Sequence, residues 1–135
     1  MDTFQLYDDI EIFCVTASSF PDGVKEAHET IHSKLEPPPG RNYFGISWFG
    51  EKGKIVYKAA VTEKKEGDLE QFNWEKRMIP AGEYYYKDIN DFMSNIPAIG
   101  QAFEELGNLA PINEDSMAIE WYTGMNEVRC MVRKS

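Results

Sequence analysis

Basic residues are scarce. Fourteen Lys and Arg stand against 23 Asp and Glu, leaving a net charge of -9. A surface of that sign repels the phosphate backbone and anionic lipid, so no direct nucleic-acid contact and no membrane surface is expected as a partner. The one basic pair, Lys64-Lys65, sits alone in an acidic stretch. Cysteine is nearly absent too. Cys14 and Cys130 cannot make a disulfide framework and, with no metal-ligand spacing around either, read as buried free thiols. No apolar run is long enough to cross a bilayer. The start, Met1-Asp2-Thr3-Phe4, lacks a basic region followed by an apolar one, so no signal peptide is read and a cytoplasmic location is expected. Neither usual Gly-rich phosphate loop is present, and position suggests no Ser-His-Asp or Cys-His arrangement.

Aromatic residues are what the chain has instead. Seven Tyr, eight Phe and three Trp make 13% of 135 residues, within a hydrophobic content of 42%. The length sets an expectation of one domain spanning residues 1–135. So much aromatic surface needs a large core or an aromatic-lined pocket. The acidic field around it suits a neutral or cationic small ligand, or a basic protein partner.

Hydrophobic periodicity gives the elements. Ile10 to Phe20 alternates as a strand, and Pro21-Asp22-Gly23 ends it. Val24, Ala27, Ile31 and Leu35 form one helical face, with Asp22 as the expected N-cap and Pro37-Pro38-Pro39 as the stop. Tyr43 to Phe49 and Ile55 to Thr62 read as a hairpin around Gly50-Glu51-Lys52-Gly53-Lys54. Further strands are expected at Phe72 to Met78 and Glu83 to Asp88. A second helix starts at an Asn95 cap, with Pro97 in its first turn and a face of Ile96, Ile99, Phe103 and Leu106. Met117 to Tyr122 and Glu127 to Arg133 complete the chain.

Strand, helix, strand, strand thus occurs twice. Ile46-Ser47-Trp48-Phe49 aligns with Ile119-Glu120-Trp121-Tyr122 at an offset of 73, and Ile55 with Val128, Phe13 with Tyr86 and Pro38 with Pro111 at the same offset. The expected fold is α+β: a tandem duplication, roughly residues 10–62 and 83–133, related by pseudo-twofold symmetry. Its antiparallel sheet carries two helices and leaves a central groove, a concave and mainly apolar place for a ligand.

The copies differ where chemistry would sit. Ser47 becomes Glu120, and Phe49 becomes Tyr122; in a strand Glu120 and Tyr122 share a face. A carboxylate inside an aromatic groove needs a ligand cation or a donor, or else it is solvated or bonded to a nearby Tyr hydroxyl. Tyr84 and Tyr86 share one face of their strand and could stack on a flat ligand, as could Trp48, Tyr57, Trp74 and Trp121, although aromatic residues at such positions are core by default. His28-Glu29-Thr30-Ile31-His32 spells the His-Glu-x-x-His pattern of zinc helices. The helix is cut off soon afterwards, the candidate third ligands are all surface-looking carboxylates, and no metal or other cofactor is expected.

Three segments, taken in order within that duplication, resemble the GyrI-like small-molecule-binding domain. They are Tyr43-Phe44-Gly45-Ile46, Ile79-Pro80-Ala81-Gly82-Glu83-Tyr84 and Ile119-Glu120-Trp121-Tyr122, and the resemblance runs from about Ile10 to Arg133. That domain also serves as the effector-binding half of multidrug-responsive bacterial transcription regulators. The resemblance implies a central cavity in which Glu120 faces cationic aromatic ligands and Tyr84 lines the wall. Tyr43, Trp48, Tyr57, Trp74 and Tyr122 are placed there by strand neighbourhood. The chain carries no DNA-binding region, so a stand-alone binding protein or sensor is expected ahead of a regulator. Two alternatives follow from the same resemblance. One is a hydrolase of reactive cyclopropane-containing compounds using Glu120 with Tyr122 or Tyr84. The other is a gyrase-inhibitor-like module that meets a protein partner through its acidic surface.

Overall fold

The computed structural model describes residues 1–35 and 40–134, so the Pro37-Pro38-Pro39 helix stop and the Pro38–Pro111 match lie outside the described residues. Eight strands form one curled antiparallel sheet. They are β1 (Asp2–Leu6), β2 (Ile10–Thr16), β3 (Tyr43–Phe49), β4 (Ile55–Val61), β5 (Glu75–Ile79), β6 (Gly82–Asn90), β7 (Ala118–Gly124) and β8 (Glu127–Arg133). Their order across the sheet is β1-β6-β8-β7-β3-β4-β2-β5. Helix α1 (Val24–Lys34) joins β2 to β3, and α2 (Pro97–Gly107) joins β6 to β7. The α+β class and the pair of helices agree with the sequence reading.

Side-chain parity sorts the sheet into two faces. On the face away from the helices, Ile12, Phe44, Ile46, Tyr84, Ile119 and Met131 make one closed cluster, with Phe4 and Trp121 packed against it. On the other face each helix seals its own region. Ala27 and Ile31 of α1 meet Phe13, Ala59 and Val61. Ala102 and Leu106 of α2 meet Val128, Cys130 and Val132. Between the two helices the middle of the sheet, β3 and β7, is left uncovered by either.

Several expectations shift. Strand β2 ends at Thr16, four residues early, because the chain turns at Ser18 to Pro21 to enter α1. Gly23, not Asp22, occupies the cap of α1, and no side chain caps it; the Ala27 amide bonds the Gly23 carbonyl instead. Helix α2 is likewise closed by backbone, the Ala98 amide donating to the Asn95 carbonyl, with Ile96 at the cap and Pro97 opening the helix as expected. Ile96 is exposed, and Ala102 takes the buried place. Residues 70–72 form a 3-10 turn, Asn73 adopts a left-handed conformation (φ 56°), and β5 starts only at Glu75. Strand β1 was not expected from the sequence; it pairs with β6, Phe4 opposite Tyr84. Phe13 and Tyr86 lie on opposite faces of the sheet, Phe13 under α1 and Tyr86 beside Phe4, so that match at offset 73 is not structural.

Candidate functional site

The uncovered strip forms the floor of a cavity of about 1490 Å³. β3 and β7 run side by side there, Gly45 opposite Glu120 and Tyr43 opposite Tyr122. Alternation aims Tyr43, Ser47 and Phe49 from β3, Tyr57 from β4 and Ala118, Glu120 and Tyr122 from β7 to the same side. Helix α1 supplies one wall through Val24, His28 and His32; α2 supplies the other through Ile99 and Phe103, and Phe20 and Phe92 close the ends. The lining is mostly apolar and aromatic.

One polar chain crosses this floor. Tyr57 donates its hydroxyl to Oε1 of Glu120 at 2.8 Å, and Tyr122 donates to the same oxygen at 2.5 Å. Nε2 of His28 lies 2.8 Å from the Tyr57 hydroxyl oxygen. That hydroxyl's one proton is committed to Glu120, so His28 must donate from Nε2, which leaves Nδ1 unprotonated. The His28 ring also meets Tyr57 and Tyr122 edge-on, at centroid distances of 5.8 and 5.5 Å.

The fit is close at one point. A Cβ on Gly45 would stand 2.0 Å from the Tyr57 hydroxyl oxygen and 2.6 Å from Glu120 Oε1. Only a residue without a side chain lets the two groups meet across that strand.

Burial sets the protonation. Glu120 is half-buried, with its carboxyl opening into the cavity, and its pKa is raised because desolvation outweighs the two hydroxyl donors. Desolvation, followed by the neighbouring carboxylate, pushes the Tyr57 and Tyr122 hydroxyls up, so both remain donors. Burial, then the nearby His32, lowers His28 to about 4, which keeps the ring neutral at pH 7. Among the described residues no Lys, Arg or His forms an ion pair with Glu120.

Of the residues singled out by sequence, Glu120, Tyr122, Tyr57 and Tyr43 converge on the cavity. Trp48 borders it, but its ring belongs to the opposite face, with the Arg77 guanidinium 4.7 Å away. Tyr84 and Tyr86 lie across the sheet from it. Tyr84 is fully buried and donates to the Pro80 carbonyl at 2.6 Å, whereas Tyr86 packs on Phe4 beneath Arg129. Trp74 stacks on Phe72 under the α1 side. The His-Glu-x-x-His residues part company: His28 joins the polar chain, the His32 ring packs at a tilt against Tyr43 with centroids 4.7 Å apart, and Glu29 reaches Lys25 on the outer surface. Sequence reasoning gives no role to Gly45, and it weighs His28 only within a zinc pattern that it sets aside. The alternation that selected Glu120 also points Gly45 at it, but only the ladder register reveals that the two are opposite.

Solved structures share this fold. An integron cassette protein from the mobile metagenome of Vibrio cholerae matches with a TM-score of 0.67 over 98% of this chain and 94% of its own, at 14% identity. A hydrolase from Listeria innocua matches with a TM-score of 0.52 over 99% and 90%, at 10% identity. At those identities the likeness is one of fold. No family model and no curated protein matches the chain.

Proposed function

We propose that this chain is a GyrI-like binding protein for apolar, aromatic, cationic small molecules, held in the cavity between α1 and α2. One observation carries the reading. A carboxylate sits in a mostly apolar cavity, makes no ion pair with a protein cation among the described residues, and has its desolvation offset by two hydroxyls. Leaving an anion in such a place is costly unless something arrives to neutralise it. A flat cation meets that need, and Tyr43, Tyr57, Tyr122, Phe92 and Phe103 line the cavity around it.

The duplication is part of the same proposal. A twofold axis through an antiparallel pair requires equivalent residues to face each other on the axis. Ile46 is the Cα partner of Ile119, 73 positions on. The β3–β4 ladder, Ile46 opposite Lys58, recurs in β7–β8 as Ile119 opposite Met131, again 73 on for both residues. The β2–β4 and β6–β8 ladders do not keep that offset, which accounts for the failed Phe13–Tyr86 match.

The test is a thermal-shift series with cationic and neutral aromatic compounds on wild type and Glu120→Gln. Cations should raise the melting temperature of wild type by mass action. The substitution should weaken them by about 2–5 kcal/mol while sparing neutral compounds. Equal losses for both would remove the charge argument.

Catalysis is the second reading. A carboxylate that receives two tyrosine hydroxyls could orient or activate water, and one fold neighbour is described as a hydrolase. It requires continued product release; product that stops at one equivalent per protein leaves binding as the activity.

A further inference from the structure

The cation-binding reading says that Glu120 is the anchor. The geometry of its hydrogen bonds says what kind of cation it can take. An ionised carboxylate offers two oxygens and about four lone-pair positions. A guanidinium or amidinium is recognised by its fork, one N–H on each oxygen, and draws its strength from that pair of bonds. Here Oε1 already accepts both Tyr57 and Tyr122. The oxygen of Tyr57 is in turn filled by the His28 Nε2 proton. Gly45 lets this cluster close up flush against the strand. Only Oε2 of Glu120 is without a hydrogen-bond donor among the described residues.

We infer that the cavity selects ammonium-type cations over guanidinium and amidinium cations on the same apolar body, because the Tyr57–Tyr122 pair leaves Glu120 one open oxygen. An ammonium is a compact point charge with rotatable donors, and it can aim one N–H at a single open oxygen without needing a fork of acceptors. A guanidinium bound there keeps one bond to Oε2 and loses the second charge-assisted bond from which its fork draws its strength. His28 acts as a positioning residue: it holds the Tyr57 hydroxyl turned toward Glu120 instead of toward the ligand. The ring of Tyr122, half-buried on the cavity floor, remains available to the cation's apolar body.

This inference rests on the cation-binding reading, and one experiment separates the two. The probes are 1-naphthylmethylammonium and 1-naphthylmethylguanidinium, of equal charge and with the same ring system. Dissociation constants are measured by calorimetry for wild type, Tyr57→Phe and Tyr122→Phe. Wild type should bind the ammonium about tenfold more tightly, the worth of one lost charge-assisted bond. Each Phe variant frees a position on Oε1, so the ratio should move toward the guanidinium. Equal affinities in wild type, or a preference for the guanidinium, overturn the inference and leave cation binding standing. A wild-type preference that neither folded variant changes also overturns it, since the hydroxyls then do not set the selection. Binding of neither probe to wild type removes the cation reading and this inference together. The wild-type ratio needs no variant, so a variant that fails to fold does not rescue the idea.

Discussion

The two faces of the sheet use the same residue types to opposite ends. Away from the helices, every notable polar group is matched by the protein itself. Tyr84 donates to Pro80, Lys58 to Glu75 and Thr16, and Arg129 grips Asp88 with two bonds beneath Phe4 and Tyr86. Toward the helices, Tyr57 and Tyr122 converge on an acid that has no ion-pair partner among the described residues. Aromatic content alone does not distinguish these faces. What differs is whether the polar ends are closed within the fold or left facing a cavity.

The largest expected effect comes from closing the gap that lets the open face assemble. Gly45→Ala puts a methyl where Tyr57 and Glu120 meet, so the tyrosine must leave its place. Overpacking of this kind costs about 1–3 kcal/mol. Loss of stability should be accompanied by weaker cation binding and by weakened discrimination between the ammonium and guanidinium probes. Gly100 on the α2 wall is the control: a Cβ there meets nothing within 4 Å, and alanine favours a helix. Gly100→Ala should leave stability equal or higher, as read by chemical denaturation.

How much of this was legible beforehand follows the same division. β3 and β8 were read with their observed bounds, because alternating apolar residues run there between clear turn residues. The shared face of Glu120 and Tyr122 followed from strand parity alone. Parity could not say which face stays open, since that depends on where the two helices land. Tyr84 and Tyr57 therefore looked equivalent, although one is sealed in the core and the other points at the cavity. β1 escaped notice because Phe4 and Leu6 are its only apolar signals and its pairing is with a distant strand. His28 and Gly45 gain their roles from contacts 29 and 75 positions away, with Tyr57 and Glu120, which no local pattern records.

Opposite signs of stability change should mark the two faces. Tyr84→Phe removes a buried hydrogen bond and should cost about 1 kcal/mol without altering ligand affinity. Glu120→Gln should act the other way in the absence of ligand. Burial raises the Glu120 pKa on folding, so the folded state holds its proton more tightly than the unfolded chain. Ionisation therefore costs stability as pH rises through the ordinary glutamate range, and the cost persists at neutral pH. Glutamine carries none of it. The variant should melt above wild type at pH 7, and the difference should close below about pH 4, where the unfolded chain is protonated as well. Melting curves across that range decide it; a variant that is less stable at pH 7 would mean that Glu120 is already compensated.

The smallest effect belongs to His28, and its sign is again fixed by burial. Folding lowers its pKa from 6.5 to about 4, first by desolvation and then by His32. Below pH 6.5 the unfolded chain takes up a proton that the folded protein refuses, so stability falls as pH drops through that window. Between pH 7 and pH 6 the shift of His28 contributes a loss of about 0.7 kcal/mol. His28→Gln removes that contribution, so its stability should change less than that of wild type over the same interval. Urea titrations of both proteins at the two pH values measure the difference. Parallel pH dependences would show that His28 is solvated enough to titrate normally, and the wall of α1 would then be looser than the 2.8 Å contact with Tyr57 implies.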